Sequence, residues 1–402
     1  MQGREAVVGT PRGGTAPLLR ALGRTPRIAI LRGGRLGDFL SITPALRAVR
    51  GSLPQARIDL LVPPSLGPLA RRYQGVDRVV PLPAYSGVCE GPVDPRSVVE
   101  FLARVRAEGY DLVLQWNGGG VRSNDLVRRM GAAVTAGYRS AGAPPLDYWL
   151  PWTQMQHEVL RWLTLAMALG APPRGLKMEF PLAPGDLGEL RSLDGELDLA
   201  ALERGRYVGL HVGARAGARR WPPERFGAVG RALLETFPTL RLVVTAGAGE
   251  EDLARAALSG VGRADRVDVV AGGVSLGGMA ALIAQLRLLV SNDTGPAHLA
   301  EALGTPSVVV FGSGHPANWR PLDTYRHRAV ADWSAPCRGV GFRCGCADDS
   351  SARCLQGVSV DAVLAEARRL LARDPPRTRR ARRAPGGGGR SGAARAASPP
   401  LG

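Results

Sequence analysis

The chain has 402 residues, enough for two domains with full cores, and a formal net charge of +17. No stretch approaches the ~20 apolar residues of a membrane-spanning helix, and residues 1–25, rich in Gly, Thr and Arg, lack the apolar core of a signal peptide. The basic balance is not specific for nucleic acid. The chain has one lysine, Lys177, beside 53 glycines and 32 prolines, which is the mark of a GC-rich coding bias, and part of the excess charge lies in the arginines after residue 375.

The first predicted element is an apolar strand from Arg27 to Leu31, running into a turn with Gly33, Gly34 and Gly37 and then an amphipathic helix. Glycines there let backbone approach a ligand closely and tolerate positive φ. The turn is neither the spaced Gly-x-Gly-x-x-Gly of a dinucleotide fold nor a P-loop, since no Lys-Ser/Thr follows. Asp38 falls where the helix begins. Its plain role is a favourable charge at a helix start; its chemical role is a general base taking a proton from an attacking hydroxyl.

Further strand-like runs follow at Ile58–Val62, Val76–Leu82, Asp111–Gln115 and Val134–Tyr138. Met155–Leu169 predicts a long helix ended by Gly170 and Ala171-Pro172-Pro173, with His157 read as a packed or surface side chain. The acidic, mixed span after Pro181 reads as a connection. A new strand begins at Tyr207 and ends in the small residues Gly213 and Ala214. The loop beyond carries Arg219 and Arg220, forked donors suited to clamping a diphosphate, unless they are only solvated surface arginines. Pro222-Pro223 then suits the first turn of a helix.

Leu240–Thr245, Val267–Val270, Leu286–Val290 and Ser307–Phe311 complete the strands. Alternation of strand and helix predicts parallel sheets covered on both faces, with ligands at the carboxyl ends of the strands. After Val290 comes Ser291-Asn292-Asp293-Thr294-Gly295-Pro296, then a helix. That order aims backbone N–H groups and a positive helix end at an anion, with Asp293 free to accept hydrogen bonds from hydroxyls; phosphate plus hydroxyls describes a nucleotide sugar. The plain alternative is an N-cap.

Of the five cysteines, Cys89 is isolated, and Cys337, Cys344, Cys346 and Cys354 cluster without a Cys-x-x-Cys pair. That spacing favours reduced thiols or a structural cross-link over zinc. The arginine-rich end, including Arg377, Arg379, Arg380, Arg382 and Arg383 among Pro, Gly and Ser, has no apolar periodicity and is expected to be disordered.

Taken together, Gly37-Asp38 with Thr43-Pro44-Ala45-Leu46, His211-Val212-Gly213-Ala214 through Arg220-Trp221-Pro222, Gly247–Glu251, Ala271-Gly272 with Ser275-Leu276, Asn292–Pro296 with His298-Leu299-Ala300, and Ala302–Pro306 with Phe311-Gly312 carry a resemblance. The chain resembles the family 9 glycosyltransferases, best known for ADP-heptose:lipopolysaccharide heptosyltransferases, from about residue 26 to 373. The resemblance implies a GT-B fold: two Rossmann-like parallel-sheet domains facing a central cleft. It implies inverting sugar transfer from a nucleotide donor, ADP-heptose first, to a hydroxyl of a lipopolysaccharide-core-type acceptor, without metal or other cofactor; no Asp-x-Asp is present to hold a divalent ion.

By the same resemblance Asp38 falls on the family's proposed base. Asp293, Thr294 and Gly295 fall on donor-sugar and phosphate contacts, and Glu251 on a ribose-binding position. Arg219 stands where relatives usually carry Lys, and Gly213 and Ala214 can offer only backbone. The expected organisation is a disordered extension at 1–25, an acceptor-side domain at 26–180, a connection at 181–205, a nucleotide-sugar-binding domain at 206–374 and a disordered tail at 375–402. The expected setting is cytoplasmic, with a peripheral contact to anionic membrane through the tail. Two other readings stay open: a related transferase of secondary metabolism or another surface glycan, and a non-enzymatic nucleotide-sugar-binding protein.

Overall fold

The computed structural model describes residues 18–335 and 352–373, apart from residues 24, 194 and 263. The described residues form two six-stranded sheets, parallel throughout, with helices packed on them. The first has the order β3-β2-β1-β4-β5-β6, from β1 (Arg27–Leu31), β2 (Arg57–Val62), β3 (Arg78–Pro81), β4 (Leu112–Gln115), β5 (Val134–Arg139) and β6 (Tyr148–Pro151). The second has the order β12-β11-β10-β7-β8-β9, from β7 (Tyr207–His211), β8 (Arg241–Ala246), β9 (Val267–Ala271), β10 (Leu288–Asn292), β11 (Ser307–Phe311) and β12 (His327–Ala331). Each sheet reverses its winding between its first and fourth strands, where β1 pairs with β4 and β7 with β10. Such a switch point opens a crevice beyond the carboxyl ends of the strands.

The central strands are apolar because helices cover both their faces. The β4, β7, β10 and β11 residues are buried throughout. One apolar cluster runs from Ile28, Ile30 and Leu60 through Leu40, Leu46 and Trp162 into Leu286, Leu289 and Leu299, so the two halves share packing as well as polar contacts. The outer faces have their own cores. That of the second half includes the C-terminal helix Val360–Arg373, which packs on the helix Pro223–Thr236.

Within 181–205 lie two helices, Pro184–Ser192 and Leu199–Glu203. The first is gripped from both sides. Arg72 donates twice to Asp186, at 2.5 and 3.0 Å, and the Ser275 backbone N–H donates to Glu189 at 2.6 Å.

Several expectations shift. Residues 18–21 are not a loose extension: Leu18–Ala21 is a helical turn, Leu18 and Leu19 are buried, and the Leu19 N–H donates to the Leu169 carbonyl at 3.0 Å. The helix expected from Met155 starts at Glu158, capped by His157, because the carbonyls of Gln154 and Gln156 accept from Asn318 and Arg161 instead of closing a helical turn. The strand expected at Leu286–Val290 runs two residues later. β6 and β12 were not expected; both are edge strands of mixed composition. Residues 1–17, the arginine-rich tail, Cys337, Cys344 and Cys346 lie outside the described residues; Cys354 is buried. Among the described residues no helix is long and apolar enough to cross a membrane.

Candidate active site

The turn after β1 is held by its glycines. A Cβ on Gly33 would lie 1.9 Å from the Val88 carbonyl oxygen, so only glycine fits. Gly34 takes φ +83° and donates its N–H to that same carbonyl at 3.2 Å. The helix Leu36–Ser41 follows, and Asp38 at its third position reaches back, its Oδ2 accepting the Arg35 N–H at 2.9 Å.

Beneath it lies Arg32, which is buried. It donates to Asp38 Oδ1 at 3.2 Å, to the Asp38 carbonyl at 2.7 Å and to the Trp116 carbonyl at 2.7 Å, with its guanidinium 4.8 Å from the Trp162 ring. Burial lowers the Arg32 pKa, opposed by the charges of Asp38 and Glu158. Asp38 thus has both oxygens partnered, yet its side chain keeps 36% of its surface exposed at the cleft. Each carboxylate oxygen still has a lone pair for a hydroxyl.

The opposing turn follows β10. Asn292, fully buried, accepts the Trp221 N–H at 3.0 Å and donates to the Val212 and Gly213 carbonyls at 2.9 and 3.3 Å. It thereby fixes the ends of β7 and β10 relative to each other. Asp293 is 1% exposed. Its Oδ2 has no hydrogen-bond partner; the nearest cation is Arg219 at 3.6 Å, and a Cβ on Gly314 would come within 2.0 Å of that oxygen. A buried carboxylate oxygen without a donor is costly, which points to a partner absent from the protein itself. Thr294 is the N-cap of the helix Gly295–Leu303 and makes no side-chain cap bond. Asp293 is not that cap.

The two turns meet at His298. Its Nε2 stands 3.9 Å from Asp293 Oδ1, its ring packs on Trp319, and a Cβ on Gly37 would lie 2.5 Å from its Cδ2. Burial lowers the His298 pKa, while the charges of Asp293 and Asp38 oppose that shift. Nearby, a Cβ on Gly295 would come 3.3 Å from Leu36. The halves also join where Asn318 donates to the carbonyls of Gln154 and Gln156, at 2.6 and 3.0 Å, and where His157 Nε2 bonds the Arg320 carbonyl at 2.7 Å.

A cavity of about 600 Å³ opens beside the Thr294–Gly295 helix start, lined by Arg215, Glu250, Gly272, Gly273 and Met279 among others. His211 also lines it. The ring bonds Thr245 through Nδ1 at 3.0 Å, and burial pushes its pKa down to about 4, so the imidazole is neutral at pH 7. A Cβ on Gly213 would lie 1.9 Å from Glu250 Oε2, so any side chain there would displace that carboxylate. Glu250 accepts from the N–H groups of Ala214 and Gly247, at 3.1 and 2.9 Å, and from Arg220 at 3.2 Å. Arg220 also donates to the Ala214 carbonyl at 2.5 Å. Arg220 is therefore part of the loop's internal lock, whereas Arg219 reaches Asp293. Glu251 stands at the start of its helix, exposed, accepting the Gly249 N–H at 2.9 Å, which holds its carboxyl below the usual range.

Asp38, Asp293, Thr294, Gly295 and Arg219 are thus brought together around His298, while Glu251 and Arg220 stand further back. Sequence reasoning gave no role to Arg32, Arg215, Glu250, Asn292 or His298. Only His298 and Asn292 had a signal, their places beside Asp293. Among the described residues no cluster of three or more His, Cys, Asp or Glu side chains is arranged to hold a metal ion.

Residues 98–345 match the model of glycosyltransferase family 9 (heptosyltransferase). The lipopolysaccharide heptosyltransferase 1 of Pseudomonas aeruginosa is 28% identical over 301 residues, covering 72% of this chain and 79% of that protein. The family 9 glycosyl transferase of Veillonella parvula shares the fold with a TM-score of 0.71 at 17% identity, over 87% of this chain and 98% of that one. The ADP-heptose lipopolysaccharide heptosyltransferase II of Escherichia coli does so with a TM-score of 0.66 at 20% identity, over 86% and 99%.

Proposed function

The chain belongs to glycosyltransferase family 9 and is a glycosyltransferase of the GT-B fold, and we propose that it moves heptose from ADP-heptose to a hydroxyl of a lipopolysaccharide-core-type acceptor. The observation that carries the reading is the convergence of two unlike carboxylates, Asp38 from one sheet and Asp293 from the other, beside an uncapped helix start. The names of the relatives, heptosyltransferases of lipopolysaccharide, supply the sugar and the acceptor class.

In this reading the donor's diphosphate rests on the N–H groups at Thr294–Gly295 and on Arg219. Asp293 accepts a hydrogen bond from a donor-sugar hydroxyl, which satisfies its unpartnered oxygen. The ribose lies toward Glu251. Gly213 and Ala214 border the phosphates with backbone alone, their loop held by Arg220 and Glu250. Asp38 takes the proton of the acceptor hydroxyl as its oxygen attacks the anomeric carbon. The bond from that carbon to the diphosphate oxygen breaks on the opposite face, and the nucleoside diphosphate leaves with the electron pair. Arginines and the helix start stabilise the charge that develops there, the role a divalent ion has in other enzymes. Contact of the two halves at Gly37 and His298 excludes water from the reacting atoms.

The domain spans 26–180 and 206–374, joined through 181–205, are part of the proposal, as is a cytoplasmic setting with the arginine tail against anionic lipid. Truncation after Asp374 is expected to lower binding to anionic liposomes; unchanged binding would remove that element.

Calorimetry of ADP-heptose, ADP, UDP-glucose and GDP-mannose tests the donor. Selective binding of ADP-heptose is expected, and turnover insensitive to EDTA. Preference for another nucleotide sugar would move the enzyme to another pathway, and binding of none would sink the reading.

A further inference from the structure

Of the three arginines in the loop after β7, Arg219 and Arg220 bond within their own half. Arg215 instead crosses the cleft, 3.0 Å from Glu90 Oε2. The other oxygen of Glu90 takes Arg35, at 2.6 Å. Arg35 belongs to the turn whose N–H holds Asp38, and Arg215 lines the cavity beside Thr294–Gly295. One carboxylate is thus shared by a cation from each wall of the candidate active site.

We propose that Glu90 is an internal counter-ion of Arg35 and Arg215 that releases Arg215 to the donor's diphosphate when the donor binds. This deepens the proposed function and rests on it. Three features carry it. The first is anchoring of the backbones. Residues 85–89 form a tight loop in which Tyr85 and Cys89 exchange N–H bonds, both at 2.9 Å, and Val88 is fixed to Gly34, while Ala214 is tied to Glu250. Side chains alone need move.

The second feature is weakness. Arg35, Glu90 and Arg215 keep 51%, 64% and 70% of their side-chain surface exposed, and ion pairs so open contribute little stability. A partner so lightly held can be exchanged for a diphosphate, which offers more charge and more acceptor oxygens. The third is charge state. The hydrogen bond from Arg35, helped by Arg215, holds the Glu90 carboxyl below its usual range, so it is an anion at neutral pH and competes with any anion entering the cleft.

A counter-ion and a structural latch predict opposite signs. If Glu90 competes with the ligand, Glu90→Gln tightens binding. If it only holds the halves together, Glu90→Gln weakens it. Calorimetry of inorganic pyrophosphate and of ADP on the wild type, Glu90→Gln and Arg215→Gln reads this directly. For Glu90→Gln the expected result is affinity for both probes raised about two- to five-fold, the scale of one exposed ion pair. Arg215→Gln is expected to lower it by a similar factor, and both differences shrink as salt rises. Unchanged or weaker binding by Glu90→Gln overturns the inference, as does absence of pyrophosphate binding from both the wild type and Glu90→Gln. Pyrophosphate binding that tightens in Glu90→Gln, with no nucleotide sugar bound by any form, would support Glu90 as counter-ion while sinking the heptosyltransferase reading.

Discussion

Asp38 and Asp293 stand at the same kind of place, a turn beyond a central strand of a six-stranded sheet, and are kept in opposite ways. Asp38 is open to the cleft with both oxygens partnered by Arg32 and Arg35. Asp293 is buried, with one oxygen lacking any hydrogen-bond donor. The sheets share one strand order, yet the first carries its carboxylate after its first strand and the second after its fourth. A repeated scaffold therefore fixes where chemistry can sit, and the turns decide which chemistry it is. A partnered, accessible carboxylate suits proton removal; a buried, unsatisfied one suits holding a hydroxyl.

The sharpest way to break this contrast is Asp38→Ala. Turnover is expected to fall by about 10²- to 10⁴-fold, the usual contribution of a general base, and initial-rate kinetics at saturating donor would show it. A loss under tenfold would leave Asp38 as a helix-start charge only. On the other turn, Asn292→Ala leaves the Val212 carbonyl and the Trp221 N–H without their buried partner. A cost of about 1–3 kcal/mol is expected from each such group, seen as a lowered midpoint in urea. An unchanged midpoint would mean the β7 and β10 ends do not depend on that amide.

The contact between the turns is probed by Gly37→Ala. The added methyl would press on the His298 ring, which Trp319 backs. Turnover is expected to drop about tenfold with donor affinity kept, since closure rather than binding is obstructed; equal loss of both would place the effect in folding. The remaining effect is in pH. His211, held neutral by burial with a pKa of about 4, binds its proton less readily folded than unfolded. Its contribution to stability is whole above pH ~6.5 and lost as pH falls through about 4. The melting temperature should decline over that window, and less steeply in His211→Gln. A slope unaltered by the substitution would count against it.

Much of this was legible from residues alone. Ten of the twelve strands announce themselves as apolar runs because buried parallel strands must be apolar on both faces. The two missed, β6 and β12, are edge strands of mixed composition, Tyr-Trp-Leu-Pro and His-Arg-Ala-Val-Ala, whereas the other edge strands, β3 and β9, were readable from their valines. The glycines of the first turn and the Asp-Thr-Gly of the last were readable because backbone geometry demands them. Arg32 and Glu250 were not readable: their partners, Asp38 and Trp116 for one and Ala214 and Arg220 for the other, meet them only after the chain folds. Arg215 and Glu90 are 125 residues apart, and no local pattern foretells their pairing.

The most direct measurement is donor affinity, by calorimetry with ADP-heptose, of Asp38→Ala and Asp293→Ala side by side. The account predicts that Asp38→Ala binds within about twofold of wild type, while Asp293→Ala loses about 1.5–3 kcal/mol, the worth of a hydrogen bond to a charged group. Equal loss in both, or loss in Asp38→Ala alone, would contradict the division of labour between the two carboxylates.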